Sequence, residues 1–115
     1  MIDKTVASVA DAVADTEDGA TIAVAGFGAA GSPVELLHAL KDQGAKKLTV
    51  INNNAGNGEI GLASLIASGR VAKMICSFPR SAGSVVFPDL YRAGKIDLEV
   101  VPQGTLAERL RAAGA

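Results

Sequence analysis

Four short apolar runs alternate with five stretches of helical spacing, and this alternation constrains the fold of the chain more than any other feature. The runs are Thr21–Ala25, Lys47–Ile51, Val71–Cys76 and Ile96–Val101. Each is short enough to cross one buried sheet and too short for a packed helix. Residues 4–14 place Val6, Val9, Ala10, Val13 and Ala14 at helical spacing. A second helix is expected from Ser32 to Gln43, with Ser32 as N-cap, Pro33 at the first helical position, Glu35 completing a capping box and Gly44 as the stop. A third covers residues 60–68 and ends at Gly69, and a fourth covers 84–93, where Pro88 blurs the boundaries. Thr105 and Glu108 read as a second capping box for a last helix that ends near Ala113. The order α-β-α-β-α-β-α-β-α implies an α/β fold: a three-layer, open, mostly parallel sheet with helices on both faces.

Composition narrows what fills and surrounds that sheet. The 115 residues suffice for one small domain. With three Phe, one Tyr and no Trp, the interior must be built from Ala, Val, Leu and Ile. The net charge is −1 and Lys and Arg are scattered, so no basic stripe invites nucleic acid. No apolar run is long enough to span a bilayer, and the N-terminus carries no basic flank followed by an apolar block, so no membrane partner and no secretory signal are expected. Cys76 is the single cysteine and cannot form an internal disulfide, which fits a cytoplasmic protein.

The loop after the first strand, Gly26–Gly31, matches G-x-G-x-x-G and sits between a strand and a helix. A dinucleotide site also needs an acidic residue at the end of the second strand, to hold the ribose. Here that strand runs into Asn52-Asn53-Asn54, and the nearest carboxylate is Glu59. A nicotinamide-dependent oxidoreductase is therefore disfavoured. The loop still presents backbone N–H groups at a strand end, a setting that favours an anion or a polarised oxygen. Two more polar clusters follow strand ends, Asn53-Asn54 and Gln103-Gly104. In a parallel sheet all three should meet on one edge. That edge would offer amides, with no strong acid or base and no metal-ligand set. His38, among Leu36, Leu37, Ala39 and Leu40, reads as a partly buried structural residue, and Cys76 and Met74 read as core. Arg109 and Arg111 read as solvated, and Glu59 as a loop residue rather than a nucleophile.

Asp18–Pro33 (DGATIAVAGFGAAGSP) is similar to the N-terminal signature of the 3-oxoacid CoA-transferases, with Ala25 where that family usually has the first Gly of G-G-F. Asn53–Gly56 (NNAG) and Pro102–Ala115 (PQGTLAERLRAAGA) resemble the same family, so the likeness extends over nearly the whole chain through three separated motifs. Within the family, Asn52–Ala63, Cys76–Ser81 and Leu90–Gly104 look like the A subunits of the branch that acts on 3-oxoadipate.

The resemblance implies a CoA-transferase/ribose-5-phosphate isomerase-like fold and a ping-pong transfer of CoA from succinyl-CoA to a 3-oxo acid. The catalytic residue it implies is a Glu of an S-E-N-G motif, which this sequence lacks, so the nucleophile is expected on a B subunit. No permanently bound cofactor is implied, the CoA thioester being a substrate. The family's A subunit is about twice as long, so residues 1–115 are expected to form the N-terminal part of its domain, inactive alone. Carried over residue by residue, Gly26, Phe27, Gly28 and Gly31 match the glycine signature facing CoA or the acyl carbonyl. Asn53 and Asn54 match the paired amides, and Gln103, followed by Gly104, matches the active-site Gln. Arg80 is the candidate for the second carboxylate of the dicarboxylate substrates, by bidentate geometry. The alternative reading is a module that binds or senses a sugar phosphate without catalysis.

Overall fold

The computed structural model describes residues 1–115 and contains the nine expected elements in the expected order. They are α1 (Val9–Val13), β1 (Thr21–Ala23), α2 (Val34–Gln43), β2 (Leu48–Ile51), α3 (Leu62–Ala67), β3 (Val71–Cys76), α4 (Val86–Arg92), β4 (Asp97–Val100) and α5 (Gln103–Ala113). The strands form one all-parallel sheet in the order β1-β2-β3-β4. Each crossover steps one strand in the same direction, so right-handed connections put α2, α3 and α4 on one face. The core is on that face. Leu37 and Leu40 of α2, Leu62, Leu65 and Ile66 of α3 and Phe87 of α4 pack against Leu48, Val50, Met74 and Cys76, and Val13 of α1 adds to the rim. The α5 helix lies on the other face. Its Arg109 bonds Glu99, which alternates along β4 with the core-packed Leu98. Helices thus cover both faces, but unevenly.

One irregularity keeps the core continuous. Leu48 pairs with Val71 while Thr49 pairs with Lys73, so Ala72 is an extra residue on β3. Residues three apart on a regular strand face opposite ways. The bulge lets Val71 and Met74 both reach the core, and both are buried.

The helix ends show where local patterns lose to context. Gly44 (φ 95°) closes α2, and Gly69 (φ 79°) follows α3. Pro88 is the third residue of α4, where an N–H would have no intrahelical acceptor, so the helix tolerates it. The first helix is shorter than expected. Ser8 caps it by accepting from the Asp11 N–H at 3.1 Å, which leaves residues 4–8 outside. Neither expected capping box forms. Pro33, with ψ 69°, is the residue that precedes α2, and the Ser32 carbonyl turns back to accept from Val34 at 2.9 Å. At the other end α5 begins two residues before Thr105, because the Pro102 carbonyl already accepts from Leu106 at 2.8 Å. Glu108 pairs with Arg111 instead. Gln103 and Gly104 therefore occupy the first turn of a helix rather than a loop. His38 is half-buried, and its Nε2 accepts from the Gly61 N–H at 3.0 Å, so the neutral ring carries its proton on Nδ1.

Cys76 lies fully within the core, and burial pushes its thiol up to about 11. An unfolded cysteine titrates near ~8.5. From about pH 8.5 to 11 the unfolded chain therefore binds fewer protons than the folded one, and stability falls as pH rises. Denaturation midpoints measured from pH 8 to 10 should drop more steeply for the wild type than for Cys76→Ala. Equal slopes would show that the thiol is not protected by the fold.

Candidate functional site

The C-terminal ends of all four parallel strands open onto one edge. After β1, Phe27 and Ala30 exchange backbone hydrogen bonds of 2.9 and 3.1 Å around Gly28-Ala29. Gly28 has φ 62° while Ala29 stays at negative φ, which defines a type II′ turn and explains Gly at its first corner. Gly26 (φ 124°) holds a conformation that residues with a side chain rarely adopt, and a Cβ there would sit a tight 3.3 Å from Ser32 Cα. The N–H groups of Gly28 and Ala29, at the tip, bond nothing within the chain.

The loop after β2 is held by Asn52, whose amide is buried. Its Nδ2 donates to the carbonyls of Val24 (2.7 Å) and Ala25 (3.1 Å), and its Oδ1 accepts from the Asn54 N–H at 2.9 Å. Asn54, also buried, accepts from the Gly56 N–H at 3.0 Å and reaches the Gly28 carbonyl at 3.5 Å. Asn53 is the shared node. Its carbonyl accepts from Ser77 and Phe78 after β3, at 3.1 and 3.0 Å, and its Oδ1 accepts from Gln103 Nε2 at 2.6 Å. Gln103 opens α5, a helix whose N-terminus has no side-chain cap, so its first N–H groups remain unpaired. Asn57 ties the loop after β3 in place, donating to Ser81 Oγ at 3.1 Å and to the Ala82 carbonyl at 2.7 Å.

Three hollows adjoin this network. One of about 100 Å³ lies between the glycine turn and the second loop, lined by Gly28, Ser32, Asn52, Asn54, Asn57 and Ile60 among others. One of about 250 Å³ is lined by Phe27, Gly28, Asn53, Asn54, Phe78 and Ser81. The third, about 220 Å³, lies under α5 and includes Gly26, Asn53 and Gln103. None of the three is lined by a carboxylate, a histidine, a lysine or an arginine, and no group of three His, Cys, Asp or Glu could hold a metal. The edge can therefore hold a carbonyl oxygen, or the oxyanion it becomes, through neutral donors. Ser32 and Ser81 line two of the hollows with no base beside them, so the edge supplies no activated nucleophile and no general base.

Gly26, Phe27, Gly28, Asn53, Asn54 and Gln103 thus meet on one edge, as their positions after strands lead one to expect. Gly31 (φ 74°) backs the turn without lining a hollow, and Gly104 is exposed on the first turn of α5. Arg80 goes elsewhere. It is exposed and lines a separate hollow with Pro79, Phe87, Tyr91, Arg92 and Leu98. Sequence reasoning passed over Asn52 and Phe78. The signal for Asn52 was available: it continues the alternation of Leu48 and Val50, so its side chain had to turn to the buried face.

Asn52→Ala removes three hydrogen bonds from a buried bracket and should cost about 3 kcal/mol in chemical denaturation. A loss below about 1 kcal/mol would mean the loops are held by other contacts.

Comparisons with known proteins identify the family of the chain. A family model described as Coenzyme A transferase matches residues 6–115. The chain is 62% identical to the A subunit of the 3-oxoadipate CoA-transferase of Pseudomonas putida over 115 residues, covering 100% of this chain and 50% of that protein. With the corresponding A subunit from Acinetobacter baylyi it is 58% identical, covering 99% of this chain and 50% of the relative. A variant of the decarboxylase AibA/AibB, a solved structure, superposes with a TM-score of 0.72 at 31% identity, over 93% of this chain and 42% of that one. The chain spans about half the length of the curated relatives named here. These relatives give no support to a phosphate-sensing module. With the family model matching from Val6 to the last residue, the chain belongs to the Coenzyme A transferase family.

Proposed function

We propose that this chain supplies the N-terminal part of the A subunit of a CoA-transferase that moves CoA from succinyl-CoA to a 3-oxo acid, with 3-oxoadipate favoured. The observation that carries this reading is the Asn53–Gln103 pair at 2.6 Å beside the free N–H groups of Gly28 and Ala29, in surroundings without a charged side chain. Such a site can stabilise a tetrahedral oxyanion but must borrow its nucleophile. A glutamate of a B subunit meets that need. Relatives over 50% identical to this chain are named as A subunits of an enzyme acting on 3-oxoadipate.

The reaction then has two halves. The B-subunit carboxylate attacks the thioester carbonyl of succinyl-CoA, the C–S bond breaks, and CoA thiolate leaves a mixed anhydride. The thiolate attacks the glutamyl carbonyl, releasing succinate and leaving a glutamyl thioester. The carboxylate of the 3-oxo acid repeats the sequence in reverse and departs as its CoA ester. Each addition places negative charge on a carbonyl oxygen. The donors of this chain strengthen their hydrogen bonds as that charge develops, which lowers the barrier rather than the ground state. The CoA thioester enters as substrate, and the cytoplasm is the compartment that fits such a reaction. Asn53, Asn54, Gln103 and the glycine turn are the proposed binding groups. Arg80 is retained only as a candidate for the distal carboxylate, reached from outside the amide hollows.

The test is to co-express a B subunit with this chain extended to the length of its relatives, and to follow CoA transfer from succinyl-CoA to 3-oxoadipate. Ping-pong kinetics are expected, with no turnover from either polypeptide alone. Gln103→Ala should lower kcat by about 10²-fold, the scale of one lost oxyanion donor. Turnover by this chain without a B subunit would overturn the reading, as would an unchanged kcat in the variant.

A further inference from the structure

Two of the chain's three Phe residues stand exposed at the amide edge, in a protein with few aromatic rings to spend. Phe87 is buried and stacks on Tyr91, whereas Phe27 and Phe78 keep 67% and 49% of their surface in solvent. They are the aromatic walls of the 250 Å³ hollow, with Gly28, Asn53 and Asn54 beside them.

Phe78 is held in place rather than loosely tethered. Its N–H donates to the Asn53 carbonyl at 3.0 Å, and it extends the β2–β3 pairing by a parallel bridge to Asn54. Its loop is further strapped by Asn57 to Ser81 and Ala82. An exposed ring on an anchored backbone, next to unspent amide donors, makes a surface of two chemistries. The donors suit the reacting carbonyl, and the rings suit the carbon chain that continues from it.

We propose that Phe78, opposed by Phe27, is a specificity-determining residue that holds the methylene carbons beyond the keto group of the acyl acceptor. This rests on the transferase reading above. The slot favours acids that extend past the fourth carbon, because a shorter acid leaves part of the ring surface in contact with water.

The experiment uses the full-length enzyme of A and B subunits and compares kcat/KM for 3-oxoadipate and acetoacetate. Phe78→Ala should reduce kcat/KM for 3-oxoadipate about tenfold, or ~1.4 kcal/mol, and change that for acetoacetate less than twofold. Phe78→Leu, which keeps most of the apolar wall, should restore most of the selectivity. A merely structural residue would lower both acids together, so equal losses would overturn the proposal. So would retention of the wild-type ratio in Phe78→Ala, or a loss explained by dissociation of the two subunits in size-exclusion chromatography. Failure of the wild-type enzyme to transfer CoA to either acid would instead remove the transferase reading on which the proposal stands.

Discussion

One buried side-chain amide governs the geometry of the site. Asn52 sits where β2 leaves the sheet, and from there it joins the end of β1 to the start of the second loop. A backbone carbonyl buried at a strand end needs a donor, and a loop N–H turned inward needs an acceptor. Asn52 answers both with one planar group. The glycine turn and the Asn53-Asn54 segment are consequently fixed relative to each other before any ligand arrives. Preorganisation of this kind is what lets neutral donors act on a developing oxyanion without reorienting during the reaction.

The topology explains why a site forms here at all. In doubly wound sheets ligands bind where the strand order reverses. The order β1-β2-β3-β4 has no reversal. The equivalent opening arises because the chain changes faces after β4, sending α5 under the sheet while α2 lies above it. The α5 N-terminus then points its free N–H groups toward the same edge as the glycine turn, with Gln103 reaching across to Asn53.

Much of this was legible in the residues. Strand runs such as Val71–Cys76 agree with the structure because a short apolar run bounded by Gly and polar residues has few other solutions. The placement of Gly28, Asn53 and Gln103 on one edge follows from parallel strands alone. The helix starts were less legible, because Ser32 and Thr105 carry the right side chains in the wrong place. Pro33 and Pro102 set the entry of the backbone into α2 and α5, and that outweighs a side-chain cap worth about 1 kcal/mol. The bulge at Ala72 left no mark in the sequence except that Val71 and Met74 are three apart and both apolar. Arg80 shows a further limit. Its neighbour Phe78 turns to the amides, while Arg80 joins Tyr91 and Arg92 in a different hollow. Which way each residue of an irregular loop points depends on the straps that hold it, here Asn57 to Ser81 and Ala82.

The sequential strand order has a consequence for biogenesis. Every strand pairs with the one synthesised just before it, and each crossover helix covers the seam it has just spanned. The pairings close loops of more than twenty residues, shorter than a non-sequential strand order would require, so their entropic cost is lower than in such an order. As the polypeptide leaves the ribosome, β1 and β2 can dock with α2 before β3 has emerged, and the sheet can lengthen one seam at a time toward β4. The amide edge would be completed only when α5 emerges and Gln103 meets Asn53. Assembly of the donor surface is in this way timed to the latest-made of the nine elements.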